Sequence, residues 1–170
     1  RPEYTGGLTL KGALELKLFV EAGGTLVALD AAANLPLQLF GLPVRNVVSG
    51  LRSEEFYAPG SLLRLEVDTQ HPITFGMKKD AVAFFVSSPA FEVFPNSPAK
   101  VLASYPRKDV LASGWLLGER HLAGRAGLVE VPLGRGRVIL VGFRCQFRGQ
   151  PRNTFKILFN SLYYSAAEPS

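Results

Sequence analysis

The first clear pattern in the chain is a repeat of apolar residues at helical spacing. Leu10, Leu14 and Leu18 recur at intervals of four residues, which is the spacing of one helix face. Other apolar residues widen this stripe: Ala13, Leu16, Phe19 and Val20. With Thr9 as N-cap and Gly23 just past the end, the pattern predicts a helix over about residues 9–22. The leucine stripe is its expected inner face, and the charged residues between are expected in solvent.

A short apolar run, residues 25–29, follows the helix after two glycines. Such a run is typical of a strand buried on both faces, as in a parallel sheet. A helix followed by a buried strand is half of a βαβ unit, yet only eight residues stand before the helix. We therefore expect a domain whose first strands lie upstream, and so a fragment of a longer protein.

The remaining pattern alternates short strands with turns and ends in a helix. Residues 31–44 predict a short helix capped by Asn34 and ended by Gly41, followed by a strand at 44–48. Further strands are predicted at 61–67, 81–86 and 99–105, and residues 126–132 and 137–143 predict a β-hairpin turning at Gly134 and Gly136. Residues 152–166 predict a helix with Asn153 as N-cap. Its expected inner face consists of Phe155, Leu158, Phe159 and Leu162.

Composition limits the functional classes. The 170 residues are 47% hydrophobic, which is ordinary for one globular domain, and we treat residues 1–170 as a single domain. No apolar run reaches the length of a membrane span, so none is expected. One cysteine excludes an internal disulfide, and two histidines are few ligands for zinc. The net charge of +5 is concentrated in residues 101–170, which could attract an acidic partner.

Several segments resemble a known superfamily. The order of "GGTLVALD", "DTQHPITFGM" and "GLVEVPLGRGRVILVGFRCQF", followed by an amphipathic helix, resembles the class I glutamine amidotransferase-like proteins. The "HPIT" and "GRGRV" segments are similar to those of its ThuA-like members. The resemblance implies an α/β fold, a flavodoxin-like three-layer sandwich, here with added antiparallel strands.

A narrower resemblance covers nearly the whole chain. The segments "RPEYTGGLTLKGALELKLFVEAGGTLVALD", "FGLPVRNVV", "SGWLLGE" and "GFRCQFRGQP" with "TFKILFNSL" resemble the C-terminal domain of large bacterial zinc carboxypeptidases. This implies a secreted or periplasmic parent whose upstream catalytic domain holds the zinc ion and is the partner of this domain. No cofactor is expected in this chain.

The resemblance also locates the residues that catalyse glutamine hydrolysis in the superfamily. Its cysteine nucleophile follows the buried strand, where this chain has Asp30 or Ala31. Its histidine and glutamate lie in a Q-F-H-P-E pattern, where this chain reads "QFRGQ", with Arg148 for the histidine and Gln150 for the glutamate. Arginine stays protonated at neutral pH and cannot act as a general base. Glutaminase activity is therefore not expected.

Four residues remain as a candidate ligand site: Arg144, Arg148, Arg152 and Asp30. The arginines leave the end of a strand and lead into a helix N-terminus, a place where α/β sheets bind anions. The alternative is that they only fix the loop by bonding its carbonyls and acidic neighbours. Cys145, between two of them, is expected to be a small core residue rather than a nucleophile.

His71 and His121 are expected in a turn and a surface loop, although Trp115, Glu119, Arg120 and His121 could line a pocket. Neither histidine has a carboxylate partner that the sequence reveals. No nucleic-acid reader motif is present, so nucleic acid is not an expected partner.

Three hypotheses follow. The first is a non-catalytic accessory domain of a zinc carboxypeptidase that packs on the catalytic domain or helps bind a peptide. The second is a binding module for a small anionic ligand that uses the loop 144–152. The third is a degenerate amidotransferase-like enzyme with an unconventional site around Asp30, Cys145 and Arg148.

Overall fold

The computed structural model describes residues 6–167, which form three α-helices and nine strands joined by loops and 3₁₀ turns. The helices are α1 (Leu10–Glu21), α2 (Asn34–Leu39) and α3 (Phe155–Ala166). The strands are β1 (Thr25–Leu29), β2 (Val44–Asn46), β3 (Ser61–Val67), β4 (Asp80–Phe85), β5 (Phe91–Val93), β6 (Lys100–Ser104), β7 (Leu111–Ser113), β8 (Ala126–Leu133) and β9 (Gly136–Val141). The predicted positions of α1, β1, β3, β4, β6 and the hairpin are confirmed to within two residues at most ends.

All nine strands join one mixed sheet. Its main path runs β1-β9-β8-β6-β3-β4, while β5 bridges β2 to β8 and β7 lies on β3. Within residues 6–167, β1 and β9 form the parallel pair, and the other pairings are antiparallel. Leu29 pairs with Val141 at the end where both strands finish. We call this end of the sheet the carboxyl edge, and β8 begins at it because β8 runs antiparallel to β9.

Alternate residues of β9 pack on opposite faces of the sheet. Val138 and Leu140 join a core cluster with Val20 of α1. Ile139 and Val141 join the other cluster, which includes residues of α3. Successive side chains of a strand point to opposite faces, so the sheet is the middle of three layers. This confirms the flavodoxin-like three-layer prediction.

Helix α1 buries a different face from the one predicted. Leu10, Leu14 and Leu18 are 65%, 49% and 56% exposed, whereas Ala13 and Val20 are buried. The helix is apolar around much of its circumference, so periodicity alone could not tell which face meets the sheet. We call Leu10, Leu14 and Leu18 the leucine stripe. The prediction that it packs inward is wrong.

Strand β1 is an edge strand. Among the described residues it pairs with β9 alone, and of its five residues only Ala28 is fully buried. The prediction of a strand buried on both faces is therefore wrong for this part of the chain. The composition of β1 is that of an internal parallel strand, but its position is at the border of the sheet.

Helix α3 also differs from its predicted pattern. Its buried residues are Ile157 and Ser161, while Phe159 and Leu162 are more than half exposed. Asn153 does not cap it, because residues 152–154 form a 3₁₀ turn that leads into the helix. Asn34 likewise begins α2 rather than capping it.

The β8–β9 hairpin lies against the end of α1, and two glycines make this possible. A β-carbon on Gly134 would stand 2.7 Å from the Glu21 backbone, and one on Gly136 would stand 2.1 Å from the carbonyl oxygens of Val20 and Gly24. Both distances are shorter than the non-bonded contacts that a β-carbon makes in real structures. The glycines predicted from turn chemistry are thus required by packing as well.

Candidate functional site at the carboxyl edge

Asp30 occupies the sharp turn that follows β1. Its φ angle is 53°, a left-handed conformation that is uncommon for residues other than glycine. The resemblance assigns the superfamily's nucleophile to this turn. Here the side chain is a carboxylate, and the residues that follow it in the 3₁₀ turn, through Ala33, are alanines. No thiol or hydroxyl is therefore available in this turn.

The Asp30 carboxylate forms an ion pair with Arg144. Arg144 Nε donates to Asp30 Oδ2 at 2.9 Å, and the two side chains are 39% and 19% exposed. The pairing of β1 with β9 brings these residues together, because Asp30 follows one strand and Arg144 lies just beyond the other. Asp30 Oδ1 is buried and finds no hydrogen-bond partner within residues 6–167. The turn that the resemblance assigns to the nucleophile thus holds the Asp30 carboxylate, and only one of its two oxygens has a hydrogen-bond partner among the described residues.

An aromatic stack organises the loop beyond Arg144. The Phe147 ring lies on Phe84 with centroids 4.3 Å apart and planes nearly parallel. The guanidinium groups of Arg144 and Arg148 lie 5.4 Å and 5.2 Å from the Phe147 centroid, within the range of cation–π attraction. The Arg144 backbone N–H also donates to the Phe84 carbonyl. Two of the predicted arginines therefore contact the same Phe147 ring.

The four predicted site residues are only partly brought together. Asp30 and Arg144 are paired, and Arg148 shares Phe147 with Arg144. Arg148 has a left-handed backbone, with φ 46°. Arg152 is exposed and begins the 3₁₀ turn before α3. Neither Arg148 nor Arg152 has a side-chain ion pair in the described residues.

Cys145 is enclosed in the core. Its side chain is fully buried, and its carbonyl oxygen accepts a hydrogen bond from Thr154 Oγ1 at 2.6 Å. Burial, with a further contribution from the Asp30 charge, raises the pKa of the Cys145 thiol to about 12. The nucleophilic form of cysteine is the thiolate, so a site that uses Cys145 as a nucleophile is disfavoured.

The structure reveals a carboxylate–histidine pair that sequence reasoning missed. His71 Nε2 lies 3.2 Å from Glu130 Oε2, and the side chains are 10% and 5% exposed. His71 Nδ1 accepts a hydrogen bond from the Ile73 N–H. Glu130 Oε1 accepts one from Arg137 Nη1 at 3.3 Å. Both imidazole nitrogens are thus engaged, and the pair has no free nitrogen to offer a substrate.

This pair belongs to the contact between the sheet and the terminal helix. The Tyr164 ring of α3 lies edge-on to His71 at 5.6 Å, and Arg137 stands over the same ring at 4.2 Å. Glu130, Arg137 and His71 therefore form a polar cluster between the sheet and α3. The signal in the sequence was Glu130 itself, a single charge within the apolar strand "AGLVEVP".

The described part of the chain contains no group of three potential metal ligands. Its helices are also too short or too polar to cross a bilayer.

Comparison with known proteins identifies the fold. The sequence matches no protein-family model and no curated protein. Among solved structures, one described as ThuA-like from Bacteroides uniformis superposes with a TM-score of 0.58 and 19% identity, covering 98% of this chain and 68% of that one. One described as a GMP synthase subunit from Thermoplasma acidophilum gives 0.57 and 11%, covering 92% and 65%. A β-galactosidase from Bacillus circulans gives 0.54 and 15%, covering 94% of this chain but only 21% of the enzyme. At these identities the likeness concerns the fold, and the chain has a ThuA-like, glutamine amidotransferase-like fold.

Proposed function

We propose that this chain is a non-catalytic accessory domain that packs, through α1 and β1, on the upstream part of the same polypeptide. We also propose, from the narrower resemblance, that this polypeptide is a secreted zinc carboxypeptidase whose upstream catalytic domain holds the zinc ion. The observation that carries the proposal is the open helix–strand unit formed by the leucine stripe and the free edge of β1.

The turn after β1 supports a non-catalytic role. Covalent catalysis of acyl transfer needs a nucleophile with an adjacent base. Asp30 is instead paired with Arg144, and Cys145 is buried with a raised pKa. The fold is thus retained without the chemistry that the superfamily builds on it.

The leucine stripe supports a packing role. Burying a leucine side chain completely is worth about 1.5–3 kcal/mol, and the three side chains are each roughly half exposed. Covering the stripe would therefore contribute roughly 2.5–5 kcal/mol before ordering costs. Lys17 and Glu21 form an ion pair on the same helix and would provide a polar rim.

The free edge of β1 supports the same partner. An unpaired strand edge presents N–H and C=O groups that readily accept another strand. The structural neighbours that share this fold are longer than the matched region. An upstream strand of the same polypeptide could pair with β1. It would form hydrogen bonds with the unpaired N–H and C=O groups of β1 and would bring apolar side chains against α1.

Hydrogen exchange of the longer polypeptide tests the docking surface. We expect the amides of β1 that face away from β9 to exchange much more slowly in the longer polypeptide than in the 170-residue chain. Leu14→Gln with Leu18→Gln should destabilise the longer polypeptide clearly more than the short chain, in which each side chain is already about half exposed. Glu15→Gln on the same helix is the control and should affect neither. Equal exchange in both forms would contradict the docking proposal.

A peptidase assay tests the parent activity. The longer polypeptide should release C-terminal residues from peptides and lose this activity with a zinc chelator, whereas the 170-residue chain should show no hydrolysis. A longer polypeptide without chelator-sensitive peptidase activity would refute the carboxypeptidase assignment, although the docking result would stand.

A second function, binding of a small anion by the loop 144–152, is favoured by one observation. Arg148 and Arg152 are exposed, and no ion pair within residues 6–167 neutralises them. Replacing Arg148 by alanine should then weaken binding of an anionic ligand with a marked dependence on salt. An unchanged affinity for every anion tested would exclude this function.

A further inference from the structure

We propose that a cavity separate from the Asp30–Arg144 pair binds a small oxyanion, a carboxylate or phosphate group. The cavity has a volume of about 330 Å³ and is lined by three arginines and a histidine: Arg45, Arg120, Arg125 and His121. It lies near the carboxyl edge, where β2 ends and β5 and β8 begin. This proposal does not depend on the function proposed above.

Two of the arginines are fixed by strand pairing. Arg45 of β2 stands opposite Glu92 of β5, and Arg125 immediately precedes β8, whose first residue pairs with β5. Arg45 binds Glu92 Oε2, and Arg125 Nη1 binds Glu92 Oε1. One carboxylate on β5 therefore orients two guanidinium groups, one from β2 and one from the residue before β8, on either side of β5. Each arginine keeps further N–H donors unused by Glu92.

The third arginine and the histidine come from an anchored loop. Arg120 and His121 lie in a 3₁₀ turn that follows Gly118. A β-carbon at Gly118 would stand 2.2 Å from the Glu55 carbonyl oxygen, so glycine is needed for the loop to approach this closely. The Tyr57 and Leu117 backbones hydrogen-bond to each other just before the turn. These contacts hold the loop against residues 55–57 and so fix where Arg120 and His121 stand in the cavity wall.

The lining carries more positive than negative charge. Glu92 shares its single charge between Arg45 and Arg125, and hydrogen bonds from Arg125 and then Arg45 lower the pKa of Glu92, so it stays ionised near neutral pH. Arg120 has no ion pair within residues 6–167. Glu55, an acid on the side of the Arg120 turn, forms its ion pair with Arg52, and hydrogen bonds from Arg52 with smaller contributions from the charges of His121 and Arg120 lower the pKa of Glu55. Glu55 and Glu92 together still carry fewer charges than Arg45, Arg52, Arg120 and Arg125. The cavity is therefore left with uncompensated cationic groups, the condition that favours an anion.

Asn46 and His121 limit what the cavity can accept. Asn46 lines it, and its Nδ2 donates to Asn34 while its Oδ1 accepts two backbone N–H groups. His121 packs edge-on against Phe56, and its Nε2 is buried without a partner among the described residues. The walls thus offer mainly donors around a space near the lower end for small-ligand pockets. Guanidinium forks match planar or tetrahedral oxyanions, which sets the ligand class.

An anion titration of the 170-residue chain tests the site. Amide resonances of residues 45–49 and 118–125 are followed by NMR while inorganic phosphate or succinate replaces chloride at constant ionic strength. We expect saturable shifts in both segments with at least one of the two anions. Binding of phosphate alone would assign phosphate esters, and binding of succinate alone would assign carboxylates. No saturable shift with either would overturn the proposal.

Variants locate the binding. Arg120→Ala should weaken binding roughly 10- to 100-fold, the loss expected for hydrogen bonds to a charged group. Arg135→Ala, at the exposed tip of the β8–β9 hairpin, removes the same charge from the opposite end of β8 and should leave the affinity unchanged. A loss with Arg148→Ala but none with Arg120→Ala would move binding to the 144–152 loop and overturn the proposal. An equal loss with Arg120→Ala and Arg135→Ala would do the same, because it would indicate net charge alone.

Discussion

The change Glu130→Gln is the sharpest test of how the terminal helix is held on the sheet. Glutamine has nearly the same shape as glutamate, so the substitution removes the charge without opening a cavity. The carboxylate is 5% exposed and lies against His71 and Arg137, and Tyr164 of α3 packs on both of these residues. The substitution therefore isolates the electrostatic part of this contact.

The expected loss follows from burial and partner number. A hydrogen bond to a charged group contributes about 1.5–3 kcal/mol, and removing one member of a buried pair costs about 3–5 kcal/mol. Glutamine keeps one acceptor oxygen, and Arg137 is 29% exposed and can reach water. We therefore expect Glu130→Gln to lower the free energy of unfolding by about 2–3 kcal/mol. For a domain of this size that corresponds to a fall in Tm of about 4–12 °C.

Urea unfolding followed by circular dichroism measures the change. Glu66→Gln, on an exposed position of β3, is the matched control and should change stability by less than about 0.5 kcal/mol. A double-mutant cycle with Arg137→Leu should show a coupling energy of about 1 kcal/mol or more. A Glu130→Gln variant as stable as the control would refute the reasoning.

Three further predictions concern the site and the packing of the hairpin. Burial raises the pKa of the Cys145 thiol to about 12, so only about one thiol in 10⁴ is ionised at pH 8. Native protein should therefore react with a disulfide reagent far more slowly than unfolded protein. Equal reaction rates would contradict the burial of Cys145. The Asp30→Gly variant should be more stable than Asp30→Ala by about 1 kcal/mol in urea unfolding. Both variants lose the ion pair, but only glycine adopts the left-handed backbone conformation without strain. Equal stability of the two variants would argue against backbone strain at position 30. Gly136→Ala should lower the free energy of unfolding by about 1–3 kcal/mol or more, since its β-carbon would stand 2.1 Å from carbonyl oxygens. A thermal unfolding curve identical to that of the wild type would exclude that close approach.

The positions of helices and strands that depend on neighbouring residues in the sequence could be predicted. The bounds of α1 and the β8–β9 hairpin follow from caps, turn glycines and periodicity. The orientation of α1 did not follow, because Leu10, Leu14 and Leu18 have the same spacing as a core face. Which apolar face is buried depends on the sheet beneath, which the local sequence does not describe. Predicting β1 as an internal strand failed for a related reason, since residue type reports preference and not position.

The site could be predicted only where strand order constrains it. Asp30 and Arg144 are far apart in sequence, and both were named as candidate site residues. The structure places them in contact because β1 pairs with β9, while their role as a site stays a prediction. His71 and Glu130 meet through loop geometry that no spacing rule predicts. The arginine-lined cavity depends on β2 and β5 pairing in register at Arg45 and Glu92. Neither β5 nor β7 was recognised, because three residues are too few to show a period and, unlike β2, neither lies in a β-branched run.

The pairing of β1 with β9 also sets the order of events during synthesis. Within the described residues, Thr25 finds its strand partner only at Arg137. At ribosomal rates of about 5–20 residues per second, roughly 110 residues of intervening chain take about 6–22 s to emerge. Through that interval β1 would remain an apolar segment without its partner, open to wrong pairing or to a chaperone. A strand supplied from upstream, if it pairs with β1 first, would shorten this exposure and act as a template on which the nascent sheet begins.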